Sequence, residues 1–179
     1  MRRVAVGLVV LLLAAGPAGA QAPTAAAPAW RPFGEFAFLL GSWSGTTSTG
    51  GRIGGRVVRF TMELNGTVLV ERGSTIFPAG DGKPEEAAEE LGCVTYDREK
   101  RRYVATFYFS TGVFGACDVE IPAEGVIRMT APALGNFEAG ARARVVFSRR
   151  ADGGLDTALD IAPPGREFVA FQSSSLKKK

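Results

Sequence analysis

Residues 56–64 alternate without a break: Val58, Phe60, Met62 and Leu64 fall on one face of an extended chain, and Arg59, Thr61 and Glu63 on the other. Asn65-Gly66 follows at once, the residue pair suited to a type I′ hairpin turn, whose two central positions both need positive φ. A strand that runs into such a turn must pair with the segment after it, here 67–77. The same grammar continues to the end of the chain, with turn signals recurring at roughly 8–12 residues, the spacing of an all-β sandwich or barrel. Strands are expected at 42–49, 56–64, 67–77, 90–97, 102–110, 113–121, 125–131, 140–149, 155–161 and 167–175. The connections are short, whereas a parallel pair needs a crossover of about a dozen residues or more. Consecutive antiparallel pairing is therefore the economical topology, and closing it removes exposed edges. The expected fold is all-β, a closed antiparallel up-and-down barrel of about ten strands.

Ahead of the first strand lies Phe36-Ala-Phe-Leu-Leu-Gly-Ser-Trp-Ser-Gly45. Apolar residues at 33, 36, 37, 39 and 40 fit one or two helical turns better than period-2 alternation. This predicts a short N-terminal plug helix that closes one barrel end, with Gly41 turning the chain inward and Trp43 as the floor of the interior.

The first 20 residues read as an export signal. Met1-Arg-Arg supplies a positive start, residues 4–15 an apolar stretch, and Ala18-Gly19-Ala20 a cleavage site before Gln21. The apolar stretch is shorter than the ~20 residues of a spanning helix and is broken by Gly16-Pro17, so no integral membrane span is expected after cleavage. Residues 21–32 are an Ala/Pro-rich linker, and 33–176 the barrel domain. The expected location is periplasmic or secreted. Cleavage would remove Arg2 and Arg3 and lower the net charge from +3 to +1. With its densest basic run, Lys100-Arg101-Arg102, at an expected turn, the chain offers no concentrated basic face and nucleic acid is not an expected partner.

The chain contains no histidine. That excludes Ser/His/Asp and Cys/His nucleophilic arrangements and the commonest metal ligand, and no metal site or cofactor is expected. Asp156 and Asp160 share one face of a predicted strand and could do acid/base work, but the plainer account is a wet face opposite Leu155, Leu159 and Ile161. An enzyme is the less favoured reading.

Tyr103, Phe107 and Phe109 share a face of the 102–110 strand. A barrel of eight strands can enclose one small ligand and ten can enclose more. Trp43, Phe60, Met62, Phe107 and Phe109 are thus the candidate ligand-binding residues, for a small hydrophobic or amphipathic molecule. A packed interior filled by the same aromatics is the alternative, and would make the domain an envelope structural or protein-interaction module. The two cysteines test the register. Symmetric turns about 97–102 and about Thr111-Gly112 would set Cys93 and Cys117 on either side of Thr106. Two strand spacings are ~9.6 Å, beyond the ~7 Å Cα limit for a disulfide, so a bridge is disfavoured.

Phe36-Ala-Phe-Leu-Leu-Gly-Ser-Trp-Ser-Gly45, Leu-Asn-Gly-Thr-Val-Leu-Val-Glu71 and Tyr96-Asp97 with Lys100-Arg-Arg-Tyr-Val104 together resemble a bacterial lipocalin-like family of the calycin type, distantly similar to fatty-acid-binding barrels and nitrobindin. The resemblance implies a ligand in the barrel interior. Nitrobindin-like barrels hold heme through a histidine, which this chain lacks. Fatty-acid carriers fix a carboxylate with an internal Arg and Tyr, and the resemblance implies Arg59, Arg142, Arg144 and Tyr108 as counterparts if they turn inward. Calycins also pack a basic residue of the last strand on the Gly-x-Trp tryptophan, which implies Lys177.

Overall fold

A computed structural model describes residues 33–80 and 82–179; the expected export signal at 1–20 and the expected linker at 21–32 lie outside the described residues. Ten strands follow a 3₁₀ helix at Gly34–Leu39: β1 (Gly41–Thr49), β2 (Arg52–Glu63), β3 (Val68–Phe77), β4 (Glu86–Asp97), β5 (Arg102–Phe109), β6 (Phe114–Ala123), β7 (Val126–Ala131), β8 (Arg142–Arg149), β9 (Leu155–Ala162) and β10 (Val169–Lys178). Every consecutive pair is antiparallel, and β10 pairs with β1 from Trp43↔Lys178 to Thr49↔Gln172, closing the barrel. The expected up-and-down barrel with a plug at its N-terminal end is what forms.

Alternation decides which side chains fill it. On β2, Gly54, Arg56, Val58 and Phe60 are buried in turn while Ile53, Gly55, Val57 and Arg59 between and before them are exposed. Leu69, Val94, Ala105, Cys117, Ile127, Met129, Phe147, Leu155 and Leu176 continue the core around the ring. The plug seals one end: Phe36 and Leu39 are fully buried, and Phe36 packs edge-on against Phe33 and Tyr103 at centroid distances of 5.5 and 4.8 Å. Trp43 donates from Nε1 to the Leu39 carbonyl at 2.6 Å, tying the plug to β1.

The residue over Trp43 is Lys178, not Lys177. Its Nζ stands 5.5 Å from the ring centroid. Strand β10 runs to Lys178, three residues past the expected end, because its serine-rich backbone is held by β1. Parity then puts Lys178 on the inward face with Ser174 and Leu176, and Lys177 on the outer one.

Two hairpins depart from expectation. Leu64 does not extend β2: Leu64, Asn65 and Gly66 all take positive φ, Glu63 pairs with Val68, and Leu64 is exposed. The connection is four residues, closed by Thr67 donating from Oγ1 to the Leu64 carbonyl at 2.7 Å. Between β5 and β6 the loop has three residues, not a two-residue turn at Thr111-Gly112. Phe109 N bonds Val113 O at 2.8 Å, and Gly112 takes φ 85°, the left-handed position of a three-residue hairpin. The odd loop length shifts the register by one, so Cys117 pairs with Ala105 while Cys93 pairs with Thr106. A slip of one residue moves a side chain to the other face. Cys117 is buried inside, Cys93 is partly exposed, and both are free thiols.

Candidate functional site

The inward parity of β2 that buries Val58 and Phe60 also buries Arg56, which is 7% exposed. A lone guanidinium there would be very costly, and the neighbouring strands supply its partners. From β3 comes Glu71 and from β4 Glu90. Arg56 Nη2 donates to Glu71 Oε1 at 3.3 Å and to Glu90 Oε1 in a shorter contact. Across the barrel, Nη1 donates to Thr157 Oγ1 of β9 at 2.8 Å and to Ser174 Oγ of β10 at 3.3 Å. Ser174 Oγ in turn donates to Thr47 Oγ1 at 3.0 Å, and Thr47 Oγ1 to the Ser173 carbonyl at 3.1 Å. One polar network thus spans β10, β1, β2, β3, β4 and β9. Arg56 Nε is buried with no partner.

Two glycines make room for the carboxylates. Glu90 lies directly opposite Gly73 and Glu71 directly opposite Gly92 across the β3–β4 pair. A β-carbon at Gly73 would stand 2.7 Å from Glu90 Cγ, and one at Gly92 3.0 Å from Glu71 Oε2. Each glutamate therefore folds over the glycine facing it and turns its head toward Arg56.

Burial pushes the Glu71 carboxyl up, the negative charge of Glu90 adds to this, and the Arg56 guanidinium opposes them; the balance lies at about 8. Glu71 is therefore mainly protonated at neutral pH, and the trio is close to neutral.

Beside the trio is a void of about 40 Å³, lined by Arg56, Glu71, Glu90, Phe107, Phe109 and Leu159 among others. A second, of about 30 Å³, is lined by Phe60, Leu69, Glu71, Phe107, Val145 and Phe147 among others. Glu71, Gly92, Phe107 and Val145 border both. Phe107 is held there because its partner across β5–β6 is Gly115, where a β-carbon would stand 2.7 Å from the ring. Each void holds about one to three waters, so the interior is largely filled.

Of the five residues expected to meet a ligand, Phe60, Phe107 and Phe109 border these voids. Trp43 and Met62 lie toward the plugged end, Trp43 buried under Lys178 and Met62 packed against the core. The basic and phenolic residues implied as carboxylate anchors all face outward. Arg59 is exposed on β2, Arg142 and Arg144 stack on Phe168 at 5.0 and 4.5 Å, and Tyr108 is exposed. The buried arginine is Arg56 instead. Its signal lies in the sequence, since it shares the alternation of Val58, Phe60 and Met62. Asp156 and Asp160 are held on the outer face by Arg150 and Arg144 at 2.9 and 2.7 Å. Among the described residues, no group of three or more Cys, Asp or Glu is placed to hold a metal ion.

The crystal structure of Rv2717c from M. tuberculosis is similar to this chain, with a TM-score of 0.60 and 15% sequence identity over 82% of this chain and 96% of that one. The likeness is one of fold. No family model matches the sequence, and no curated protein matches it.

Proposed function

We propose that the barrel is an exported lipocalin-like protein that binds a small amphipathic molecule in its interior. The polar end sits at Arg56, Glu71 and Glu90, and the apolar part lies against Phe60, Phe107 and Phe109. One observation carries the reading: a buried ionic trio, Arg56 with Glu71 and Glu90, borders a void that aromatic side chains continue. Ligand sites combine an apolar lining with a few convergent polar groups, whereas a barrel filled only for stability gains nothing from an ionic trio over well-packed apolar residues. The plugged end and the Trp43 floor confine entry to the far end, where Phe109 and Leu159 lie.

The test is a displacement titration with a hydrophobic fluorophore. Saturable binding that weakens at least tenfold in Phe107→Asp, with the β-sheet circular dichroism retained, is the expected result. Absence of saturable binding would sink the reading in favour of a packed barrel acting through its surface, a second reading favoured by the small size of both voids. Export is tested separately by the N-terminal sequence of the mature protein, which is expected to start at Gln21.

A further inference from the structure

The interior trio holds more potential negative charge than positive. One guanidinium meets two carboxylates from β2, β3 and β4, and the groups facing them from β9 and β10, Thr157, Ser174 and Gln172, are uncharged. Arg56 already donates to both carboxylates and to both hydroxyls, leaving only Nε. It has little left for an incoming anion. A bound carboxylate would add a buried negative charge with no new partner, which is costly.

A positively charged head has the opposite effect. We propose that the polar head bound at Arg56, Glu71 and Glu90 is a cation, the ammonium group of a small organic amine. This rests on the interior-binding reading above. The charge balances at each stage. Before binding, the Arg56 guanidinium is paired with Glu90, and burial keeps the proton on Glu71. On binding, the ammonium enters with its own charge, the Glu71 carboxyl releases one proton to solvent, and two carboxylates then face two cations. Glu71 and Glu90 accept hydrogen bonds from the ammonium, and the apolar chain runs past Phe107 and Phe109. The cluster therefore selects against the fatty-acid head group, for which the outward-facing Arg59, Arg142 and Arg144 also provide no interior anchor.

Three six-carbon probes of equal chain length separate the outcomes: hexylammonium, hexanol and hexanoate, titrated calorimetrically at pH 7 in two buffers of different ionisation enthalpy. Hexylammonium is expected to bind at least tenfold more tightly than hexanoate and to release a proton, since burial beside Glu90 raises the Glu71 carboxyl above its ordinary range. Its affinity should rise about tenfold per pH unit between pH 6 and 7 as that proton is lost more easily. Glu71→Gln should abolish proton release and weaken hexylammonium at least tenfold, leaving hexanol within a factor of about two. Should that variant fail to fold, the pH series on the unaltered protein reads the same proton release. Tighter binding of hexanoate, or hexylammonium binding no tighter than hexanol, overturns the cation assignment and leaves interior binding standing. No binding of any probe overturns both.

Discussion

Gly73 and Glu90 face one another across the β3–β4 pair, and the glutamate side chain occupies the space that a β-carbon at position 73 would take, with Cγ 2.7 Å from it. Oε1, Cγ and Cδ of Glu90 all fall within the space of that β-carbon, so the glutamate must turn its whole side chain aside and give up its bond to Arg56. Gly73→Ala is expected to destabilise the barrel by about 1–3 kcal/mol, the usual range for overpacking. At Gly92 the approach is wider, 3.0–3.2 Å to Glu71, and Gly92→Ala is expected to cost less. Urea unfolding midpoints of the two variants check the order, and equal midpoints would contradict it.

Arg56→Met removes the cation that Glu71 and Glu90 share in the interior. Deleting one member of a buried ionic group costs about 3–5 kcal/mol, because the remaining charges are left without a partner. The loss should be larger at pH 8 than at pH 5, where Glu71 holds its proton and brings no negative charge. Chemical denaturation at the two pH values reads this directly.

Glu71 also sets a pH dependence for the unaltered protein. Its folded carboxyl is raised from 4.5 to about 8, first by burial and then by Glu90. The folded state therefore holds a proton that the unfolded chain has released between these values. Stability is fully present below pH 4.5 as far as this group is concerned, and falls as pH rises through about 8, with a limiting slope of about 1.4 kcal/mol per unit. The chain has no histidine, so no other side chain ordinarily titrates within the window. Glu71→Gln should flatten the slope between pH 5 and 8.

Lys178 and Lys177 provide a paired test of the plugged end. Lys178→Ala should lose about 0.5–1 kcal/mol, as expected for a cation over an indole ring, and should shift the emission of Trp43. Lys177→Ala should do neither, since its side chain lies on the outer face. Equal effects would place the β10 register one residue away.

Cys117 is buried, and burial with the nearby Asp118 charge pushes its thiol up to about 12. A disulfide reagent at pH 8 should therefore modify Cys93 in the folded protein and reach Cys117 only on unfolding. Rapid modification of both thiols in the native state would contradict the inward placement of Cys117.

The barrel is legible in the sequence because alternation and turn chemistry agree from segment to segment. Val58 and Phe60 mark the inner face of β2, and short connections leave consecutive pairing as the simplest order. The interior trio is harder to read. Arg56 stands within the inward alternation, but at the first residue of the expected strand, where a charged side chain is easily assigned to solvent. Glu71 and Glu90 become neighbours of Arg56 only through the β2–β3 and β3–β4 registers, which place Gly73 and Gly92 opposite them. The inward placement of Cys117 depends on one residue in the β5–β6 loop. Lys178 escapes sequence reasoning because Ser173-Ser-Ser-Leu-Lys-Lys-Lys179 shows little apolar alternation; pairing with β1 extends that strand.

The bonds from Arg56 to Thr157 and Ser174 join residues 101 and 118 positions apart along the chain. Loop-closure entropy makes such distant partners expensive to bring together before the intervening strands are in place. The seam between β1 and β10 and the network around Arg56 consequently belong to the same late step of folding. Until that step, the chain is an open ten-strand meander with two unpaired edges and an arginine bonded only to the carboxylates of β3 and β4, and the site is completed at the moment at which the sheet loses its ends.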